Sequence, residues 1–374
     1  MKQGRTLPEL VTEVERQRSA KKDALVYSNS LVMASNGTSR LALPEDAGAF
    51  QLQPTAHRQL GQHLSIPSAF YDAMQAHVED WLDPEGRPLF DTTVNSLLRA
   101  RPADEKRLVR TLDGNARAFL SAKYRAMDNL PILASVLPVL QEEQGIDWQG
   151  ASMEVTDSRL YLKLVNQRVQ GEVKVGDIVQ AGVLITNSEV GLGAFRVQPL
   201  MFRLVCSNGL VTPDQSAGRM ARHVGGVLGG NGSDEAFEWL ADDTLAARSD
   251  ATIKEMRDVI RASLSEAFFS KALDTARGAA ATRINGDPSK AVEWVQDKYG
   301  LTDEERGGVM RNLIEGADLS LWGLVNSITA MAQTVDSYDR STELEVAGGK
   351  LLALPAPDLK ALVDRNNSGG PAGR

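Results

Sequence analysis

The chain has 374 residues, 42% of them hydrophobic and 24% charged, with a net charge of −8. That is room for two or more domains, or one large domain with appendages, and the acidic balance excludes a surface that is nucleic-acid-binding throughout. No apolar run approaches the roughly eighteen residues that span a bilayer, MKQGRTLPEL lacks the apolar core of a signal peptide, and the single cysteine, Cys206, excludes an internal disulfide and a cysteine-built zinc site.

In chain order, residues 8–22 read as a surface helix with Pro8 in its first turn. Residues 24–34 read as a strand, ended by a turn at Asn36-Gly37. The stretch 53–77 reads as two short helices parted by Ile66-Pro67-Ser68, with Thr55 as the first cap and Tyr71 and Met74 facing the core. Leu108–Leu112 and Ala116–Ser121 flank Asp113-Gly114-Asn115, a hairpin signal. A helix follows from Asn129 or Leu130 to about Gln144, with Leu130, Leu133, Val136, Leu137 and Leu140 on one face. Strand-like runs come next at Ser152–Val155, Leu160–Val165, Ile178–Thr186 and Ala194–Cys206. Glycines 225, 226, 229, 230 and 232 mark a break. Beyond it the pattern is helical: Thr252–Thr275 with an Ile253, Met256, Ile260, Leu264, Phe268 stripe, then about Ser289–Tyr299, Glu304–Gly316 and Ser320–Val335. The tail NNSGGPAGR is expected to be disordered.

This order predicts an α+β fold: a central, mostly antiparallel sheet with a packed helix, followed by a helical C-terminal region. The expected divisions are 1–100, a strand and helix region; 101–224, a strand-rich core; 225–250, a glycine-rich and acidic linker; 251–365, helical; and 366–374, the tail.

Charge is unevenly spread. Arg99, Arg101, Lys106, Arg107, Arg110, Arg117, Lys123 and Arg125 face only Asp104, Glu105 and Asp113 in the same segment. A basic centre on an acidic body binds a polyanion locally, although alternating charges on a solvated sheet face explain the arginines equally well.

Three stretches resemble the domain-of-unknown-function 932 family, also called phage/plasmid-like proteins. The first runs from Arg110 to Asn129 (RTLDGNARAFLSAKYRAMDN). The second is Asn187-Ser-Glu-Val-Gly191 with Arg203-Leu-Val-Cys-Ser-Asn-Gly209 and Arg222-His223. The third is Leu321-Trp-Gly-Leu-Val-Asn-Ser-Ile-Thr329 with Arg340 and Gly348. The resemblance implies a prokaryotic, mobile-element-associated protein whose biochemistry is unsettled, working in the cytoplasm, that of the bacterial host if phage-encoded. It also implies His-Asp after the Asn-Ser pair and a histidine near Thr334. This chain has Glu189-Val190 at the first place and no histidine at the second.

The residues themselves favour phosphate contact over catalysis. Asp113, Asp128, Asp157, Glu189 and His223 follow no metal-ligand spacing, and Asp113 and Asp128 read as a turn residue and a helix cap. Cys206 reads as a small buried hydrophobe, and His57, His63 and His77 as helix side chains without a matched partner. No glycine loop of the phosphate-binding type is present. Neither metal nor cofactor is expected. Arg107, Arg110, Arg117, Lys123, Tyr124, Arg125, Arg196, Arg203 and Arg222 are the expected contacts to single-stranded nucleic acid, with Phe119 a core residue or a stacking platform. The expected activity is binding of single-stranded DNA in recombination or replication, of the annealing type. A hydrolase- or nuclease-like enzyme with Asn187, Ser188, Glu189, Asn208 and His223 in one pocket is the first alternative. A non-enzymatic protein that assembles into homo-oligomers through its helical part is the second.

Overall fold

The computed structural model describes residues 2–36, 38–44, 48–124, 127–204, 208–212, 219–221 and 242–365, with backbone only at 219–221 and 242–250. Helix α1 (Leu7–Ala20) leads into a first sheet of β1 (Lys22–Tyr27), β2 (Val32–Asn36), β3 (Thr38–Ala42), β4 (Ala49–Leu52), β5 (Lys106–Leu112) and β6 (Asn115–Ser121). Their order is β1-β5-β6-β4-β3-β2, and β4–β6 is its parallel pair. Helices α2 (Pro54–His63), α3 (Ser68–Ala76) and α4 (Leu89–Arg99) bury their apolar sides on one face, over Met33, Leu41, Val109 and Phe119.

Helix α5 (Asn129–Glu142) leads to a second, antiparallel sheet of β7 (Ser152–Val155), β8 (Leu160–Lys174), β9 (Asp177–Asn187), β10 (Phe195–Arg203), β11 (Asn208–Val211) and β12 (Arg219–Ala221). β11 and β12 lie end to end along the outer edge of β10. The C-terminal helices are α6 (Asp242–Ser263), α7 (Glu266–Ala281), α8 (Pro288–Tyr299), α9 (Asp303–Glu315), α10 (Leu321–Met331), α11 (Tyr338–Leu352) and α12 (Ala356–Val363). α1, α5 and α6 cover one face of the second sheet, over Leu160, Leu162, Leu164, Val183 and Ile185. Strand alternation turns Tyr161, Lys163 and Leu184 to the other face, where α11 packs. The α+β expectation holds, helical C-terminal region included.

The predicted hairpin is present: Asp113 and Gly114 both have positive φ, 51° and 78°, the backbone of a type I′ turn. Several local expectations are corrected. The strand over 24–34 is broken at Ser28–Ser30, where Ser28 donates its N–H to the Glu105 carbonyl. The first of the two short helices is capped at Gln53, with Pro54 in its first turn, not at Thr55. The helix over Thr252–Thr275 is two, because Ser265 accepts the Phe268 N–H and restarts the helix as an N-cap. The restart shifts the phase, so Phe269, not Phe268, is buried. The last predicted helix stops at Met331, and β3, β4, α4, α11 and α12 were not anticipated. The division at 100/101 runs through one continuous sheet, since β1 pairs with β5 and β4 with β6. α6 starts inside the expected 225–250 linker. Gly37, Cys206, the glycine run and the tail lie outside the described residues.

α10 is buried on nearly all sides, and α11 crosses it closely at Gly348, where a Cβ would stand 2.7 Å from Thr329 Cγ2. α11 is pinned to the sheet by a fully buried ion pair, Lys163 Nζ to Glu345 Oε2 at 2.6 Å. The Lys163 ammonium also sits 4.7 Å from the centre of the Tyr338 ring, whose hydroxyl lies 2.6 Å from Ser152 Oγ. Removing one member of such a pair strands a charge in the interior, whereas replacing both does not. Lys163→Met alone is therefore expected to cost about 3–5 kcal/mol in urea unfolding. Lys163→Met with Glu345→Leu is expected to regain most of that, and equal losses in single and double variants would contradict it.

Two histidines under the first sheet give a pH prediction. Burial lowers His57 from its ordinary 6.5 to about 4. His63 is lowered to about 4 by burial and then by Arg107 and Arg101. Between those values the folded rings stay neutral while the unfolded chain takes up protons, so stability falls as pH drops from about 6.5 to about 4. The urea midpoint should be lower at pH 5 than at pH 7, and His57→Gln should shrink the difference.

Candidate functional site

The residues singled out in the sequence meet where the two sheets join. The β5–β6 register slips between Arg110 and Thr111: Arg110 pairs with Ala118 and Thr111 with Ala116. Arg117 is the extra residue of this bulge, and a bulge re-aims its side chain. Arg117 thus turns to the same side as Ala118, which packs against Val190 in the turn after β9. There it pairs with Glu189, and both side chains are more than nine-tenths buried. The other Glu189 oxygen accepts the Asn129 N–H at 2.7 Å, so Glu189 caps α5 from outside, where the helix dipole favours a negative charge. Asp128 occupies the N-cap position, but its side chain makes no cap bond. It pairs instead with Lys21 and, at 2.7 Å, with Arg110. Burial pushes the Asp128 carboxyl up, but Lys21 and Arg110 hold it below the usual carboxylate range. Arg110, wholly buried, also bonds Asp23 and the Glu189 carbonyl. Asn187 completes the seam, donating to the Met127 carbonyl and to Asn129 Oδ1.

On the opposite face of β8–β10, under α11, opens a cleft of about 320 Å³. Its floor follows from the register: Tyr161 stands opposite Thr186, and Thr186 opposite Arg196. Leu184 and Gln198 form the next row. Thr342, Val346 and Lys350 of α11 form the roof, and Arg159, Leu192 and Gly193 one side. Asp339, near the start of α11, accepts hydrogen bonds from Tyr161 Oη at 2.6 Å, Thr156 Oγ1 at 3.1 Å and Ser158 Oγ. Burial first, and then Asp339, raises Tyr161, which keeps its hydroxyl a donor. The lining carries Arg159, Arg196, Arg340 and Lys350 against Asp339 and Glu343. Arg340 grips Glu305 with two nitrogens and also reaches Glu343. Beside that pair the lining carries Arg159, Arg196, Lys350 and Asp339.

The predicted residues therefore divide. Arg110 and Arg117 are structural cations inside the seam and present no guanidinium to a phosphate. Phe119 belongs to the core under α2–α4. Arg107 is directed at His63 and Glu105 on that same side. Arg203 is held by Asp177, which also accepts the Trp322 indole N–H at 2.9 Å. Lys123 is exposed, and Tyr124 bonds the Ser188 carbonyl. Arg196 reaches the cleft. Arg125, Arg222 and His223 lie outside the described residues.

The polar set expected to form one pocket does not converge. Asn187 and Ser188 line the edge of the cleft and Glu189 follows them in the seam, but Asn208 pairs with Arg203, which stands opposite Val179. That is about 26 Å along the sheet from Asn187 at ~3.3 Å per residue, and Asn208 bonds Thr329 of α10 there. No group of three or more His, Cys, Asp or Glu that could hold a metal ion occurs among the described residues. Asp339, Arg159, Tyr161 and Lys350 escaped sequence reasoning. Only the register and the packing of α11 bring them together, and the nearest signal was Arg340, one residue from Asp339.

Because Glu189 answers both Arg117 and the start of α5, neutralising it leaves Arg117 buried without a counter-charge. Glu189→Gln is expected to lower unfolding stability by about 3 kcal/mol. Adding Arg117→Met should restore part of the loss, and a Gln variant as stable as the parent would show that the pair is not structural.

No curated protein and no solved structure matches the chain. Among the described residues, no helix is long and apolar enough to cross a membrane. The sequence profile described as "Domain of unknown function (DUF932)" matches residues 117–347, from the bulge arginine to the middle of α11. That span takes in the seam turn and the whole second sheet, and the chain belongs to the DUF932 family.

Proposed function

We propose that this protein binds single-stranded nucleic acid in the cleft between the second sheet and α11, without a nucleotide cofactor. The expected setting is the DNA recombination or replication of a phage or plasmid. The observation that carries the reading is the basic lining of the cleft, where Arg159 and Lys350 stand against Asp339 and Arg196 lies in the floor, on a chain whose net charge is −8. A local positive cleft concentrates a polyanion even on an acidic body. The volume of about 320 Å³ is at the lower end for small-ligand pockets and suits one nucleotide rather than a duplex.

The surroundings support a strand that runs on past the cleft. Arg159 donates to the Leu192 carbonyl, and Leu192, Leu108 and Tyr124 all pack against the cluster of Ala118, Leu120 and Val190. Beyond them on the first sheet lies Tyr27, 44% exposed, with Lys106 Nζ 4.8 Å from its ring centre. An exposed aromatic ring beside a cation is the kind of surface on which unpaired bases stack. The hydrolase-like alternative is less favoured, because Asn208 stands at the far end of the sheet from Asn187, Ser188 and Glu189.

The test is anisotropy of a labelled single-stranded oligonucleotide over a salt series. Arg196→Ala and Lys350→Ala should each weaken binding and flatten the logarithmic salt dependence by about one unit. No retention of the oligonucleotide at low salt would reject the proposal.

A further inference from the structure

Within that cleft, and resting on the nucleic-acid reading, we infer that Asp339 selects the base: the cleft takes a base that carries an exocyclic amino group and disfavours uracil or thymine. Asp339 is a carboxylate placed where the ligand is a polyanion. A phosphate beside it would be repelled, so the backbone belongs with Arg196 and Lys350 and the part of the ligand at Asp339 must donate hydrogen bonds.

The carboxylate is held for that task. Thr156, Ser158 and Tyr161 all point hydroxyls at it, from the β7–β8 connection and from β8 itself. Thr156 and Tyr161 donate to Oδ1 and Ser158 to Oδ2, which fixes the carboxylate and leaves Oδ2 as the oxygen with room for a further donor. Its sequence neighbour Arg340 does not neutralise it, being committed to Glu305 and Glu343. The carboxylate of Glu305 is held below the usual range, chiefly by that guanidinium.

Cytosine offers an amino group at N4, the partner that Asp and Glu side chains accept from. Uracil has the same ring and a carbonyl oxygen at that place. Its one N–H donor is flanked by carbonyls, so a carboxylate meets repulsion on either side. The discrimination therefore rests on one substituent of a pyrimidine.

The experiment compares labelled oligo-dC and oligo-dU of equal length with the full chain at pH 8, by anisotropy. The parent protein is expected to bind oligo-dC about ten-fold more tightly. Asp339→Asn, which can donate as well as accept, should bring the two within about two-fold while oligo-dU binding is kept or improved. Tyr161→Phe keeps the ring but loses one of the three positioning donors, and should narrow the ratio by a smaller factor. Equal binding of the two strands by the parent, or a preference for oligo-dU, would overturn base selection by Asp339 and leave nucleic-acid binding standing. Failure to bind either strand would overturn the nucleic-acid reading and this inference with it.

Discussion

The geometry of this protein turns on where Arg110 and Arg117 can find their counter-charges. Both stand on the first sheet, both are buried, and a buried guanidinium without a partner is severely destabilising. Their partners come from outside that sheet's own hairpin: Asp23 from β1, Asp128 from the start of α5, and Glu189 from the turn after β9. Meeting that demand brings the end of β9 to the N-terminus of α5, where Glu189 also takes a helix N–H. The second sheet is thereby fixed against the first, and the turn at 188–193 becomes a wall between the seam and the cleft.

A division of charge follows. Side chains that looked available in the sequence are consumed by the architecture: Arg110 and Arg117 by the seam, Arg203 by Asp177, Lys163 by Glu345 and Arg340 by Glu305. Three of these join parts of the chain far apart in sequence, which is where a specific buried pair is most useful. The last two hold α11 to the sheet and to α9, so the roof of the cleft has a set height. The lining of the cleft carries Arg159, Arg196, Lys350 and Asp339 as well.

Position 189 shows what one substitution within a family motif can mean. The family resemblance implies a histidine after the Asn-Ser pair. Here Glu189 stands in its place, buried, paired with Arg117 and bonded to the helix start. A neutral imidazole could not balance Arg117, so in this chain the place serves architecture.

The sequence alone determined the class of fold and most of its local elements. Asp113-Gly114-Asn115 between two apolar runs specified a hairpin, and the structure narrows its loop to Asp113 and Gly114, both at positive φ. The stripe over Leu133, Val136 and Leu140 specified a helix because 3.6-residue spacing puts them on one face. The family stretches were also legible, since identity and spacing are carried in the chain itself. Local pattern failed where a single polar residue resets the phase, as at Ser265. It failed also where strands too short to show a period are held by distant partners, as with β3 and β4. Tertiary structure alone decided which arginines are buried and which face the cleft. Charge in a sequence does not carry its environment, and Arg110 and Arg196 look alike until a register and a packed helix assign one to carboxylates inside the protein and the other to an open cleft.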